Sequence, residues 1–145
     1  MENTAKKRVI IQGVIFVVSF ALAFFVAKYL FSINKETPND LLVKASKEMN
    51  ATMPSMVDAE TRLDSTSVEN STLNYHYTLI NVVKDSSDMD FDLVKKTMTA
   101  KAQENLDTNA AMKDYRENAI SLHYIFKDKN QSDVFDYTVK HTTKN

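Results

Sequence analysis

Hydrophobic positions along this chain follow three patterns in turn, each of which specifies a different kind of element. From Val9 to Ala27 the residues are apolar apart from Gln12, Gly13 and Ser19, with no ionisable side chain. As a helix at about 1.5 Å per residue the run measures roughly 28 Å, close to the hydrocarbon thickness of a bilayer. It predicts a transmembrane helix over residues 9–31, because hydrophobicity continues through Tyr29, Leu30 and Phe31 while Lys28 can snorkel to the interface.

The second pattern is helical. Thr37-Pro38-Asn39-Asp40 reads as a helix start, with Thr37 as N-cap, Pro38 at the first helical position and Asp40 as a capping-box-like acid. Leu42, Ala45, Met49 and Met53 then recur at helical spacing, and the helix is predicted to end near Pro54. Phe91, Val94, Met98 and Ala102 mark the inner face of a second helix running to about Leu106, and Met112 with Tyr115 the inner pair of a short third one from Ala110 to about Arg116.

The third pattern is alternation. Thr61 to Val68 is a Thr- and Ser-rich strand, Glu69-Asn70-Ser71 a turn, and Thr72 to Val83 a strand with Leu73, Tyr75, Tyr77 and Leu79 on one face and Asn74, His76 and Thr78 on the other. A second hairpin follows: Ile120, Leu122, Tyr124 and Phe126 alternate with Ser121, His123 and Ile125, and Phe135, Tyr137 and Val139 with Asp136, Thr138 and Lys140, across a polar loop from Lys127 to Ser132. These readings predict an α+β fold: an N-terminal transmembrane helix, then a helix-hairpin-helix-hairpin domain whose antiparallel four-stranded sheet packs against the helices. The expected divisions are a cytoplasmic N-terminus over 1–8, a signal anchor over 9–31, a linker over 32–37 and an extracytoplasmic domain over 38–145.

Charge supplies the orientation. Lys6, Lys7 and Arg8 precede the apolar run, so the short N-terminal flank is expected to stay in the cytoplasm and the body to lie on the far side of the membrane. Ala21-Leu22-Ala23 offers the rival reading, a cleaved signal peptide. The length of the run favours an anchor, and a helix apolar on all faces does not suit a soluble domain too small to surround it. Of 18 basic and 19 acidic residues, four basic and one acidic fall within residues 1–31, which leaves 14 against 18 and a body of net charge −4. Such a body does not suit nucleic acid or an anionic membrane surface, both of which need clustered Lys and Arg. With no Cys, disulfides and thiolate metal sites are excluded, and with Gly13 as the one glycine so are glycine-dependent phosphate loops. Turns must then be built from Asn, Asp and Ser.

Asn50, Met53-Pro54, Val57-Asp58, Thr61-Arg62-Leu63-Asp64 and Leu73-Asn74-Tyr75-His76-Tyr77-Thr78-Leu79 form a pattern that resembles a family of small exported bacterial proteins of uncharacterised function. The later pieces of that resemblance are Met112 to Arg116 and Tyr124-Ile125-Phe126. The resemblance implies a fold and an exported compartment but no activity. This chain departs from it in lacking cysteines and in having Asn118 about where a Gly stands in the family, so packing must replace any disulfide.

Candidate chemistry is sparse. His76 and His123 share a sheet face if their strands are neighbours, yet no close His or acid spacing provides the three or four ligands zinc needs. Asp58, Glu60 and Asp64 lack an accompanying nucleophile or anion-binding loop, and Asp58 reads better as the acceptor ordering the turn after Pro54. Asp88, Asp90 and Asp92 alternate as in a calcium loop but without its glycine and final Glu, so helix capping accounts for them. Tyr75, Tyr77, Tyr124, Phe126, Phe135 and Tyr137 suit a core under a helix layer better than a binding surface, and Met49, Met53, Met56, Met98 and Met112 read as gap-filling core or an adaptable groove. Three Asn-x-Ser/Thr matches, at Asn50, Asn70 and Asn130, are expected by chance in so polar a chain. The expectation is therefore a non-enzyme with no catalytic, cofactor-binding or metal residues and no cofactor. Its partners would be membrane lipid through residues 9–31 and another envelope protein, docked for example on an edge strand such as Thr61 to Val68. The alternative is a small-molecule or lipid-binding sensor with a pocket between the helices and the aromatic sheet face.

Overall fold

The structure, a computed structural model, describes residues 36–142. The expected membrane span over 9–31 lies outside the described residues, and among those described no helix is long and apolar enough to cross a membrane. Helix α1 (Pro38–Asn50) starts as its sequence predicts: the Thr37 hydroxyl oxygen accepts from the Asp40 N–H at 3.2 Å while its own proton goes to Asp40 Oδ2 at 2.6 Å. Strands β1 (Ser55–Met56), β2 (Thr61–Glu69) and β3 (Thr72–Leu79) follow. After a 3₁₀ turn at Lys84–Ser86 come helix α2 (Phe91–Thr108), a second 3₁₀ turn at Ala110–Met112 and helix α3 (Lys113–Glu117), and strands β4 (Ser121–Asp128) and β5 (Asp133–Val139) close the fold.

These strands overturn the antiparallel four-stranded sheet expected from sequence. Among the described residues the sheet has five strands in the order β1-β2-β3-β4-β5, and it is mixed, because β3 and β4 run parallel. The reason lies in the link between them. Helices α2 and α3 carry the chain back along the sheet, so β4 enters at the end where β3 began. A period-two pattern assigns side chains to faces but is the same for either strand direction. The fifth strand, β1, consists of two exposed residues, too few to show any pattern, and it leaves Met56 48 % exposed at the sheet edge instead of in the core.

Glycine is replaced in the turns by residues that tolerate positive φ. Asn70 and Ser71, at φ 46° and 60°, join β2 to β3 between the paired residues Glu69 and Thr72, the two-residue hairpin in which both central residues are left-handed. A bulge at Asp64 shifts the register of β2, so that Leu63 and Thr66 both face inward although they are three apart. Three cross-strand rows then build the core: Leu63-Tyr77-Phe126-Phe135, Thr66-Tyr75-Tyr124-Tyr137 and Val68-Leu73-Leu122-Val139. Rings stack within these rows, with centroids 5.3 Å apart for Tyr75 and Tyr124, 4.9 Å for Tyr124 and Tyr137, and 4.7 Å for Phe126 and Phe135. Helix α1 packs over β2 and α2 over β5, and Leu42, Val94, Met98, Leu106 and Tyr115 bury themselves against the aromatic rows.

Candidate functional site

The opposite face of the sheet carries no helix among the described residues, and it gathers the polar side chains that the alternation excluded from the core. Asn74 stands opposite His123 and His76 opposite Ile125 on the parallel pair, so both histidines share this face. His123 is held at both ring nitrogens, Nδ1 3.0 Å from Asn74 Oδ1 and Nε2 3.0 Å from Asp136 Oδ2. His76 Nε2 lies 3.0 Å from Ser67 Oγ. Burial, followed by the nearby charges of His123 and Lys127, lowers the His76 pKa from its ordinary value, with Asp64 pulling the other way.

Asp64, pushed outward by the bulge, accepts from Arg62 Nε and from the Thr78 hydroxyl, each at 2.5 Å. Gln131 reaches back from the β4–β5 loop to Thr78 Oγ1 at 3.3 Å, which leaves Thr78 buried on the otherwise open face. A groove of about 450 Å³ runs around the β5 edge between this face and the start of α2, lined by Lys84, Asp92, Lys95, Asp133 and Asp136 among others.

The other sequence candidates have structural partners. Asp58 does order its turn, Oδ1 accepting from the Glu60 and Thr61 N–H groups at 2.7 and 2.8 Å, while Asp64 binds Arg62 and Thr78. Asp90 caps α2, accepting from the Leu93 N–H at 2.9 Å, and Asp92 lies in the first turn of that helix. His141 lies apart from the other histidines, its Nδ1 2.8 Å from Asp107 Oδ1 at the end of α2, and this contact lowers the Asp107 pKa. No group of three or more His, Cys, Asp or Glu able to hold a metal occurs among the described residues. The Thr61–Val68 edge suggested for docking is covered: Ser55 and Met56 pair with Leu63 and Arg62, and the Asn50 side chain takes the backbone of Thr66. The aromatic face is buried and stacked, and burial raises the phenol pKa values of Tyr75, Tyr115, Tyr124 and Tyr137.

Of two residues that organise this architecture, sequence reasoning passed over one and named the other, Asn50 of the family pattern, without a role. Asp128, placed at the end of β4 and buried, accepts from the N–H groups of Lys84 at 3.0 Å, Asn130 at 2.8 Å and Ser132 at 3.0 Å, and these bonds lower its pKa. Its signal was the Asp-Lys-Asn-Gln-Ser run, a turn in which an Asp side chain binds backbone two residues on. Asn50 is the other, and nothing local reveals that its partner lies in a strand sixteen residues away.

A helix layer on one face of a mixed sheet, with a hydrogen-bonded polar network on the other, defines a small two-layer α+β domain. Residues 37–135 match a domain of unknown function, DUF8479, and the chain belongs to that family. Among solved structures it resembles a candidate secreted protein of Pseudomonas aeruginosa, with a TM-score of 0.55 at 15 % identity over 73 % of this chain and 89 % of the other. It also resembles the pilotin EpsS of the Vibrio vulnificus type 2 secretion system, with a TM-score of 0.53 at 9 % identity over 70 % of this chain and 86 % of the other. Both are likenesses of fold. No curated protein matches the chain in sequence.

Proposed function

We propose that this chain is a single-pass protein of a bacterial inner membrane, with its N-terminus in the cytoplasm, that holds a non-catalytic docking domain over residues 38–145 in the periplasm for another envelope protein. The apolar run from Val9 to Ala27 behind Lys6, Lys7 and Arg8 supports the anchor and its orientation. The fold is shared by a candidate secreted protein and by a secretion-system pilotin, which supports the compartment. The observation that carries the docking reading is the helix-free sheet face, where side chains from four strands present hydrogen-bonding groups at one surface.

Alkaline carbonate extraction of native membranes, protease treatment of spheroplasts and crosslinking from a probe placed at Thr138 test the reading together. The expected result is retention in the pellet, digestion of the C-terminal body from outside and a discrete crosslinked envelope protein. Release by carbonate with a new N-terminus near Phe24 would replace the anchor by a cleaved signal peptide. Protection of the body from protease would overturn the orientation, and crosslinks indistinguishable from those of a probe on the helix face would overturn the docking surface.

A further inference from the structure

We propose that His76 and His123 together make the β2–β3 hairpin an acid-sensitive latch on helix α1. Register places the two rings as diagonal neighbours on parallel strands, one residue pair apart on the same face. The two sites treat a proton differently. His123 has an oxygen at each ring nitrogen, Asn74 Oδ1 and Asp136 Oδ2, and the Asn74 amide keeps that orientation through its own N–H on Ser67 O at 3.4 Å. His76 instead meets a hydroxyl, Ser67 Oγ, with Asp64 acting on it by charge and not by a hydrogen bond among the described residues.

Every charged group facing His76 is already engaged. On β2, Asp64 is held by Arg62 and by Thr78. On β4, Lys127 pairs with Asp133 at 2.9 Å and His123 with Asp136, and along β3 itself the neighbours on this face are the neutral Asn74 and Thr78. A charge on His76 is therefore offset only by an Asp64 that already serves Arg62 and Thr78, and in a partly buried site it destabilises the structure around it.

That structure is the one that grips α1. His76 stands opposite Ser65, and the next residue, Thr66, turns inward to hold the helix: its hydroxyl lies 2.8 Å from Ser46 Oγ, and its backbone N–H and C=O are bound by Asn50 at 2.7 and 2.8 Å. Proton uptake on the open face thus weakens the strand segment on which the first helix is fastened, while the β4–β5 hairpin, which lacks His76, keeps its pairing.

NMR of the full chain in detergent micelles between about pH 5 and 8 tests this, following histidine ring protons and amide exchange together. His76 is expected to titrate below the usual histidine range and to move upward in His123→Gln. After correction for intrinsic exchange, protection at the β2–β3 and α1 amides is expected to fall several-fold on acidification relative to β4–β5, and His76→Gln is expected to abolish that fall. A His76 midpoint unmoved by His123→Gln, or an acid-induced fall that persists in His76→Gln, overturns the proposal. If His76→Gln does not fold, the midpoint shift in His123→Gln and the wild-type exchange pattern decide it. These readouts need no partner protein, so the proposal fails or stands apart from the docking function.

Discussion

Asn50, the last residue of α1, treats Thr66 as a neighbouring strand would: its Oδ1 accepts from the Thr66 N–H at 2.7 Å and its Nδ2 donates to the Thr66 carbonyl at 2.8 Å. One side-chain amide thereby ends a helix, ties it to the sheet and satisfies the outer edge of β2 beyond the reach of the two-residue β1. Asn50→Ala leaves both backbone groups without that partner and is expected to cost about 1–3 kcal/mol in chemical unfolding. Asn50→Asp keeps the acceptor and loses the donor, so it should fall between the two. Equal stability of wild type and Asn50→Ala would show that the amide contributes nothing.

Ala119 follows α3 at φ 51°, with the Ile120 N–H on Tyr115 O at 2.9 Å and the Ala119 N–H on Arg116 O at 3.2 Å. This is the helix ending that ordinarily uses glycine, and here the Cβ must be carried in the left-handed region. Ala119→Gly is expected to stabilise the fold by about 0.5–1 kcal/mol, the left-handed penalty relieved less the added freedom of the unfolded chain. A lower urea midpoint for the variant would refute this account of the turn. Asn118, the position singled out by family resemblance, is at φ −99° and has no such need of glycine.

The Tyr124 hydroxyl is buried with no hydrogen-bond partner among the described residues, and its ring stacks on Tyr75 and Tyr137. Removing the hydroxyl alone should cost little, so Tyr124→Phe is expected to lie within about 1 kcal/mol of wild type on either side, whereas Tyr124→Ala should cost about 3–5 kcal/mol through the cavity it opens. The phenol pKa values of Tyr75 and Tyr124 are raised by burial, so the unfolded chain ionises first. Stability from these groups is complete below the ordinary tyrosine pKa of about 10 and is lost as pH rises above it. Ultraviolet titration should show these phenols ionising only as the protein unfolds.

Asp128 provides the opposite pH dependence. Its pKa is lowered by the N–H groups of Lys84, Ser132 and Asn130, so its contribution is present above the unfolded value of about 3.9 and is lost as pH falls through the lower folded one. Asp128→Asn is expected to be less stable at neutral pH and to lose less on going from neutral to acid than wild type does. Parallel acid-unfolding curves for the two proteins would remove Asp128 from the account.

Much of the local structure was readable from the chain alone. Thr37 and Asp90 stand at helix starts because short acceptor side chains followed by periodic apolar residues have one good use there. Leu73, Tyr75 and Tyr77, like Leu122, Tyr124 and Phe126, face the core because alternate side chains on a strand cannot do otherwise once one face is covered. Asn70-Ser71 turns the first hairpin because no glycine was available and Asn tolerates positive φ. The neighbouring placement of His76 and His123 was conditional in the sequence, since it required β3 to lie beside β4.

What the sequence determined by itself is therefore whatever depends on neighbours a few residues away: periodicity, caps, turn residues and which side of each strand is apolar. Only the tertiary structure decided that β4 runs parallel to β3, that β1 exists, that Asp64 bulges outward, and that Asn50 and Asp128 each serve backbone groups far along the chain. Strand direction and edge protection arise from pairing between segments that a helical crossover or a loop brings together, and that free energy leaves no periodic mark on either partner alone.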